Sequence, residues 1–203
     1  MAHALTARPR GTWSARLRGA VRLALFQALS VLALLLAHAT ASAQQGGSSI
    51  EEVEAAYLHR FAGYIDWPPR VFSSPQAPLV VGVAGSERVY VQLAKLSSGR
   101  PVQGRPVQVV RLLQPQEAAQ VHLAFIGPDA WSVVPAWLKA AEGLPVAVVT
   151  DAPHGSDLGA LLTFVNVDNR VRFEASMPAA ERAGLQLSSR LLAVAKRVVG
   201  APP

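Results

Sequence analysis

Cysteine is absent from all 203 residues, so disulfides and thiolate metal sites are excluded and the fold must hold by packing alone. Histidine is scarce. Of five, only His59, His122 and His154 lie beyond residue 43, and none sits in HExxH or another ligand spacing. Basic residues outnumber acidic ones 19 to 13, a surplus that in a basic domain points to nucleic acid. Here the surplus is local: Arg8, Arg10, Arg16, Arg18 and Arg22 lie in an opening stretch that contains no acid. Without those five, 14 basic residues face 13 acidic ones, a net charge of +1. Nucleic acid therefore drops out as the expected partner. Past residue 43, no apolar run approaches the ~18 residues that mark a membrane span.

What is present begins with an address. The basic stretch leads into an apolar run from Leu23 to Ala37, with VLALLLA at its centre, and then into Ala41-Ser42-Ala43, a small-residue cleavage site. A transmembrane anchor is the alternative, but a run of about 15 residues is short of the ~20 a bilayer needs. Residues 1–43 read as a cleaved secretory signal peptide, which predicts an exported protein starting near Gln44. In a Gram-negative host that means the periplasm.

QQGGSS opens a flexible leader over 44–50, and Ser49 predicts the N-cap of a helix with Glu51, Glu52 and Glu54 in its first turn. Val53, Ala56, Tyr57, Phe61, Tyr64 and Ile65 recur at three- and four-residue intervals and predict one apolar face. Asp66-Trp67-Pro68-Pro69 stops the helix, because a residue before proline is pushed out of the helical region.

Beyond it, β-branched runs alternate with helical segments. Strands are expected at PLVVGVAG (78–85), PVQVVRLL (106–113), VHLAFIG (121–127) and PVAVVTD (145–151), and helices at 86–96 and 135–143. Residues 114–120 leave room only for a short crossover helix. This is the rhythm of a parallel sheet. ALLTFVNV, Asp168-Asn169 and RVRFEA then predict a hairpin with a two-residue turn, Val167 opposite Arg170. That register puts Leu162, Phe164, Val171 and Phe173 on one face and Thr163, Val165, Arg170, Arg172 and Glu174 on the other. A short helix after Pro178 ends at Gly184, and a last helix starts near Ser188 with Leu191, Leu192, Ala195, Val198 and Val199 facing inward. The expected fold is an α/β single-domain sandwich over 51–200. It has a mostly parallel central sheet flanked by helices, with a C-terminal β-hairpin and helix.

Catalysis has little support. Ser86, Asp151 and His154 supply the residue types of a hydrolase triad, but no GxSxG elbow frames the serine. Gly82-Val83-Ala84-Gly85 matches neither a dinucleotide fingerprint nor a Walker loop and reads as a tight strand-to-helix turn. No enzyme activity, cofactor or metal is expected. The more informative polar residues are Arg60, Arg170, Arg172 and Glu174. Arg60 stands beside the aromatic face of the first helix. If that helix packs over the polar face of the hairpin, guanidinium and aromatic groups converge on a small anionic or aromatic ligand. The alternative is a solvated Arg172–Glu174 ion pair of little energetic weight. Tyr57, Tyr64 and Trp67 form the candidate partner or aromatic face, with Tyr57, Phe61 and Tyr64 docking the helix and Trp67 wedging its exit.

AAYLHRFAGYIDWP, PLVVGVAG, GRPVQVVRL, VHLAFIG, TDAPHG, TFVNVDNRVRFEA and AGLQLSSRLLAVAKRV resemble, in order, the YfiR-like family of periplasmic proteins. The aromatic helix with its Trp-Pro exit, together with the RFE and LSSRLL segments, carries the specificity. The resemblance implies a homodimer that works by protein contact. It would bind and restrain a membrane-bound diguanylate cyclase or other signalling protein, lowering cyclic-di-GMP, until an outer-membrane lipoprotein captures it. A periplasmic small-ligand sensor of the same fold is the other expectation. The family's namesake is tied by disulfides and redox control. A chain without cysteine cannot share that control.

Overall fold

The computed structural model describes residues 48–200; the expected signal segment lies outside the described residues. Helix α1 spans Ile50–Tyr64. Ser49 and Glu52 close a capping box at its start, the Glu52 amide donating to Ser49 Oγ at 3.2 Å and the Ser49 amide to Glu52 Oε2 at 3.3 Å. Ile65 turns extended ahead of Pro68-Pro69 and opens the two-residue strand β1 (Ile65–Asp66). There follow β2 (Leu79–Ala84), α2 (Glu87–Ser97), β3 (Val107–Arg111), β4 (Leu123–Ile126), α3 (Val134–Ala140), β5 (Ala147–Thr150) and α4 (Gly155–Leu158). The chain ends with β6 (Leu162–Val167), β7 (Arg170–Ser176), α5 (Met177–Ala183), β8 (Gln186–Leu187), α6 (Ser189–Val194) and β9 (Arg197–Val199). The expected crossover between β3 and β4 is a 3₁₀ helix, Pro115–Gln120.

Seven strands form one sheet in the order β3-β2-β4-β5-β6-β7-β9, while β1 and β8 pair separately. The first five run parallel, the doubly wound order in which the chain reverses between β2 and β4. Side chains alternate across the sheet as the two-residue strand period demands. Val81, Val83, Leu123, Phe125, Ala147 and Val149 face one core with α1 and α2, whereas Ala84, Ala124, Ile126 and Val148 face a second core with Trp137 of α3.

Two expectations are corrected. The buried stripe of α1 is Glu54, Ala55, Leu58, Phe61 and Ala62, continued by Ile65, so the helix is rotated away from Val53, Ala56 and Tyr64 and turns a carboxyl inward. The last helix stops at Val194. Val198 and Val199 belong instead to β9, which runs parallel to β7.

Candidate functional site

The hairpin forms in the expected register, Val167 opposite Arg170 and Phe164 opposite Phe173. Asp168 and Asn169 both take the left-handed conformation, φ 49° and 58°, that a two-residue turn of this hand requires. On its polar face Glu174 is 8 % exposed. Ser156 Oγ donates to its Oε2 at 2.6 Å, and Arg197 donates to the same oxygen at 2.5 Å and to Ser156 Oγ at 3.0 Å. Arg197 arrives there because β9 aligns it directly with Glu174. The Arg197 hydrogen bond, assisted by Ser156 and opposed by burial, holds the Glu174 carboxyl below its ordinary range. Asp157 and His154 extend the network outward, Asp157 lying 3.7 Å from Arg197 and 3.5 Å from His154. The partner of Glu174 is therefore Arg197, not Arg172. Arg170 and Arg172 are exposed on the same face.

Gly155 makes the Ser156 contact possible. A Cβ added there would lie 2.5 Å from Thr150 Cγ2 and 2.9 Å from Thr163 Oγ1, so any larger residue would lift α4 off β5 and β6. Thr163 Oγ1, directly across from Glu174 in the ladder, is buried without a hydrogen-bond partner.

Helix α1 lies on the other face. Phe61 stacks on Phe164 at 5.6 Å and meets Phe173 edge-on at 4.8 Å, and Tyr57 touches both at 5.9 and 5.7 Å. Burial of this aromatic cluster docks the helix, which leaves the sheet between Arg60 and the hairpin arginines. The expected convergence of Arg60 with Arg170 and Arg172 does not occur. Arg60 instead edges a shallow hollow of about 280 Å³ with Glu52, Val53, Ala56 and Tyr57. Tyr64, expected to face inward, is 38 % exposed at the end of the helix. Trp67 is buried. Its indole donates to the His122 carbonyl at 3.1 Å, while His122 Nδ1 accepts the Val80 amide at 3.0 Å and the imidazole stacks on Phe72.

At the carboxyl ends of the strands the switch-point crevice is filled. Gly85, at φ 65°, packs against the backbone of Ala130, and the Asp129 amide donates to the Gly85 carbonyl at 3.0 Å. Ser86, Asp151 and His154 serve separate purposes there: Ser86 caps α2, Asp151 accepts the Trp131 indole at 2.7 Å, and His154 faces Asp157. A second hollow, a cleft of about 330 Å³, opens between α3 and α5, with Leu138, Val148, Leu158 and Leu161 beneath Arg182 and Lys139 at its rim. Among the described residues, no group of three or more His, Asp or Glu is placed to hold a metal ion. No helix there is long and apolar enough to cross a membrane.

Sequence reasoning missed Ser156, Arg197 and Glu54. None of the three had a local signal, since Glu54 reads in sequence as one of three acids in the first turn of α1.

No curated protein matches the chain. Among solved structures it is similar to a conserved domain protein from Vibrio cholerae O1 biovar El Tor strain N16961, at 14 % identity over 74 % of this chain and a TM-score of 0.46. It is also similar to an ABC domain in complex with L-Trp from Streptococcus pneumonia, at 13 % identity over 59 % and a TM-score of 0.42. The chain spans 60 % and 55 % of the lengths of those two proteins. A family model described as YfiR/HmsC-like matches residues 51–196, from the first turn of α1 to the residue before β9. The chain belongs to the YfiR/HmsC-like family, whose members are periplasmic, non-catalytic regulators of the cyclic-di-GMP signalling kind.

Proposed function

We propose that this protein is an exported repressor that binds the periplasmic part of a membrane signalling protein, a diguanylate cyclase first of all, and holds it inactive. The family match over 51–196 carries the reading, because it covers both α1 and the whole sheet. The mechanism needs no chemistry on the repressor. A protein that prefers the inactive state of its partner shifts the partner's equilibrium by that preference, and full reversal of a hundredfold bias takes about 10⁴-fold.

Two surfaces separated by the sheet are available to such contacts. One is the exposed side of α1, where Arg60, Tyr64 and the free edge of Tyr57 combine a cation with aromatic area, the composition that anchors protein interfaces. The other carries Arg170 and Arg172 on the hairpin. We assign the cyclase to the α1 surface and the hairpin to a second copy of the chain or an outer-membrane lipoprotein. A small-ligand role is supported by the cleft between α3 and α5, whose apolar walls and Arg182 suit an amphipathic anion.

The test is binding of the purified protein to the periplasmic domain of a cyclase encoded beside it. Replacing Arg60 and Tyr64 by Ala is expected to weaken that complex at least tenfold with little change in thermal stability. Unaltered affinity in the double variant removes the α1 surface from the account. A thermal shift with a metabolite, and no complex, favours the ligand role.

A further inference from the structure

Residues 67–77 connect β1 to β2 as a strap with little structure of its own. Its backbone hydrogen bonds are local: the Val71 amide donates to the Pro68 carbonyl, Phe72 to Pro69 and Ala77 to Ser74. Beyond the apolar packing of Trp67, Val71 and Phe72 against the core, two side chains hold it in place. Arg105 lays its guanidinium over the Phe72 ring at 3.7 Å and donates to the Ser74 and Ala77 carbonyls at 2.9 and 3.0 Å. His122, the residue before β4, stacks on Phe72 at 4.7 Å, meets Trp67 edge-on at 6.2 Å and accepts the Trp67 indole on its carbonyl.

His122 also closes the first rung between β2 and β4. Its amide donates to the Val80 carbonyl at 2.9 Å, and its Nδ1 accepts the Val80 amide at 3.0 Å, standing where a backbone carbonyl would. A ring nitrogen that accepts an N–H cannot also carry a proton, so this contact requires the neutral imidazole with its hydrogen on Nε2. Protonation sets two donors against each other. The new charge meets no acid: Arg105 is the charged group that acts on the ring, and it repels a proton there, while Asp66 and Arg70 beside the strap are exposed. Burial first, and Arg105 with it, hold His122 below its ordinary 6.5, against the Val71 carbonyl, which acts in the other direction.

We propose that His122 is an acid-sensitive buckle: while its ring is neutral it holds Val80 on one side and Trp67 and Phe72 on the other, and when it takes a proton the first β2–β4 rung and the strap come loose together. The open form accepts the proton at the ordinary value and the closed form only at the lowered one. Seating of the strap is therefore complete above about 6.5 and is lost as the pH falls towards the lowered value. One proton linked to opening raises the opening equilibrium by up to about tenfold per pH unit through that window.

Hydrogen exchange of the purified protein, followed from about pH 8 to about pH 5, above the range in which ordinary carboxylates titrate, and corrected for intrinsic exchange, measures this opening. The wild type is expected to lose protection at the Val80 amide and across residues 67–77 together as the pH falls. His122→Asn places an amide oxygen where Nδ1 stands, so it keeps an acceptor for Val80 and cannot titrate; its profile is expected to be flat. Parallel profiles for the two proteins overturn the buckle, and so does a wild-type Val80 that opens while the strap stays protected. If His122→Asn does not fold, a nuclear magnetic resonance titration of the wild-type ring decides. A ring protonated on Nε2 near pH 8, ionising with the same midpoint as the shift of the Val80 amide, supports the buckle. A ring protonated on Nδ1, or a Val80 amide that does not respond, overturns it.

Discussion

Two glutamates, Glu54 and Glu174, are both buried, at 4 % and 8 % exposure, and their surroundings drive them in opposite directions. Glu174 lies in a ladder whose neighbouring strand delivers Arg197 to it, with Ser156 as a second donor, and it stays ionised. Glu54 is buried on the docking face of α1, and that burial, then the like charges of Asp151 and Glu51, push it up to about 8. Burial raises a carboxyl, as at Glu54, unless the fold supplies a cationic donor that outweighs it, as Arg197 does at Glu174. The consequence for stability is a mirror image. The Glu174 pair stabilises the fold above the ordinary carboxylate value and is lost as pH falls through the lowered one, whereas docking around Glu54 is strongest in acid and weakens towards alkaline pH.

The comparison breaks most completely when α1 is detached. Phe61→Ala removes a ring that is 1 % exposed and in contact with two phenylalanines, and is expected to cost about 3–5 kcal/mol in chemical denaturation. In that variant the alkaline weakening due to Glu54 should shrink, while the acid limb due to Glu174 remains. A smaller loss is expected from Gly155→Ala, whose new methyl collides with Thr150 and Thr163. Strain of about 1–3 kcal/mol and displacement of Ser156 from Glu174 should follow, visible as a lowered Tm at neutral pH. The finest test is Glu174→Gln. It exchanges an ionised acceptor for a neutral one, so the Tm profile below about pH 5 should flatten relative to wild type, with no change on the alkaline side. An unchanged acid limb would mean that other carboxylates govern acid unfolding.

Much of the frame was legible because local and long-range preferences agree. β2, β4 and β5 are apolar runs bounded by Gly and Pro, the hairpin turn is written in Asp168-Asn169, and Ser49 with Glu52 announces the start of α1. The parts that stayed hidden depend on pairings distant in sequence. Nothing local distinguishes Arg197-Val198-Val199 from a continuing helix, since its strand character comes from β7, and without that strand Arg197 cannot be matched to Glu174. The rotation of α1 was likewise decided by the fit of Leu58, Phe61 and Ala62 into the core, not by the periodicity that includes Tyr57 and Tyr64. The site suffered for the same reason. Arg60, Arg170 and Arg172 share a chemistry, but the aromatic cluster that docks α1 also sets the sheet between them.

Of all the claims, the most consequential is that this protein acts by touching a membrane partner and biasing its conformation. Cyclic-di-GMP synthesis by membranes carrying a cyclase encoded beside it, measured with the cyclase's periplasmic side accessible and the purified protein added in excess, tests this directly. The account predicts that synthesis falls to a low plateau as the protein saturates its site, and that the Arg60 and Tyr64 double variant requires a higher concentration to reach it. Synthesis that stays constant at every concentration contradicts the account.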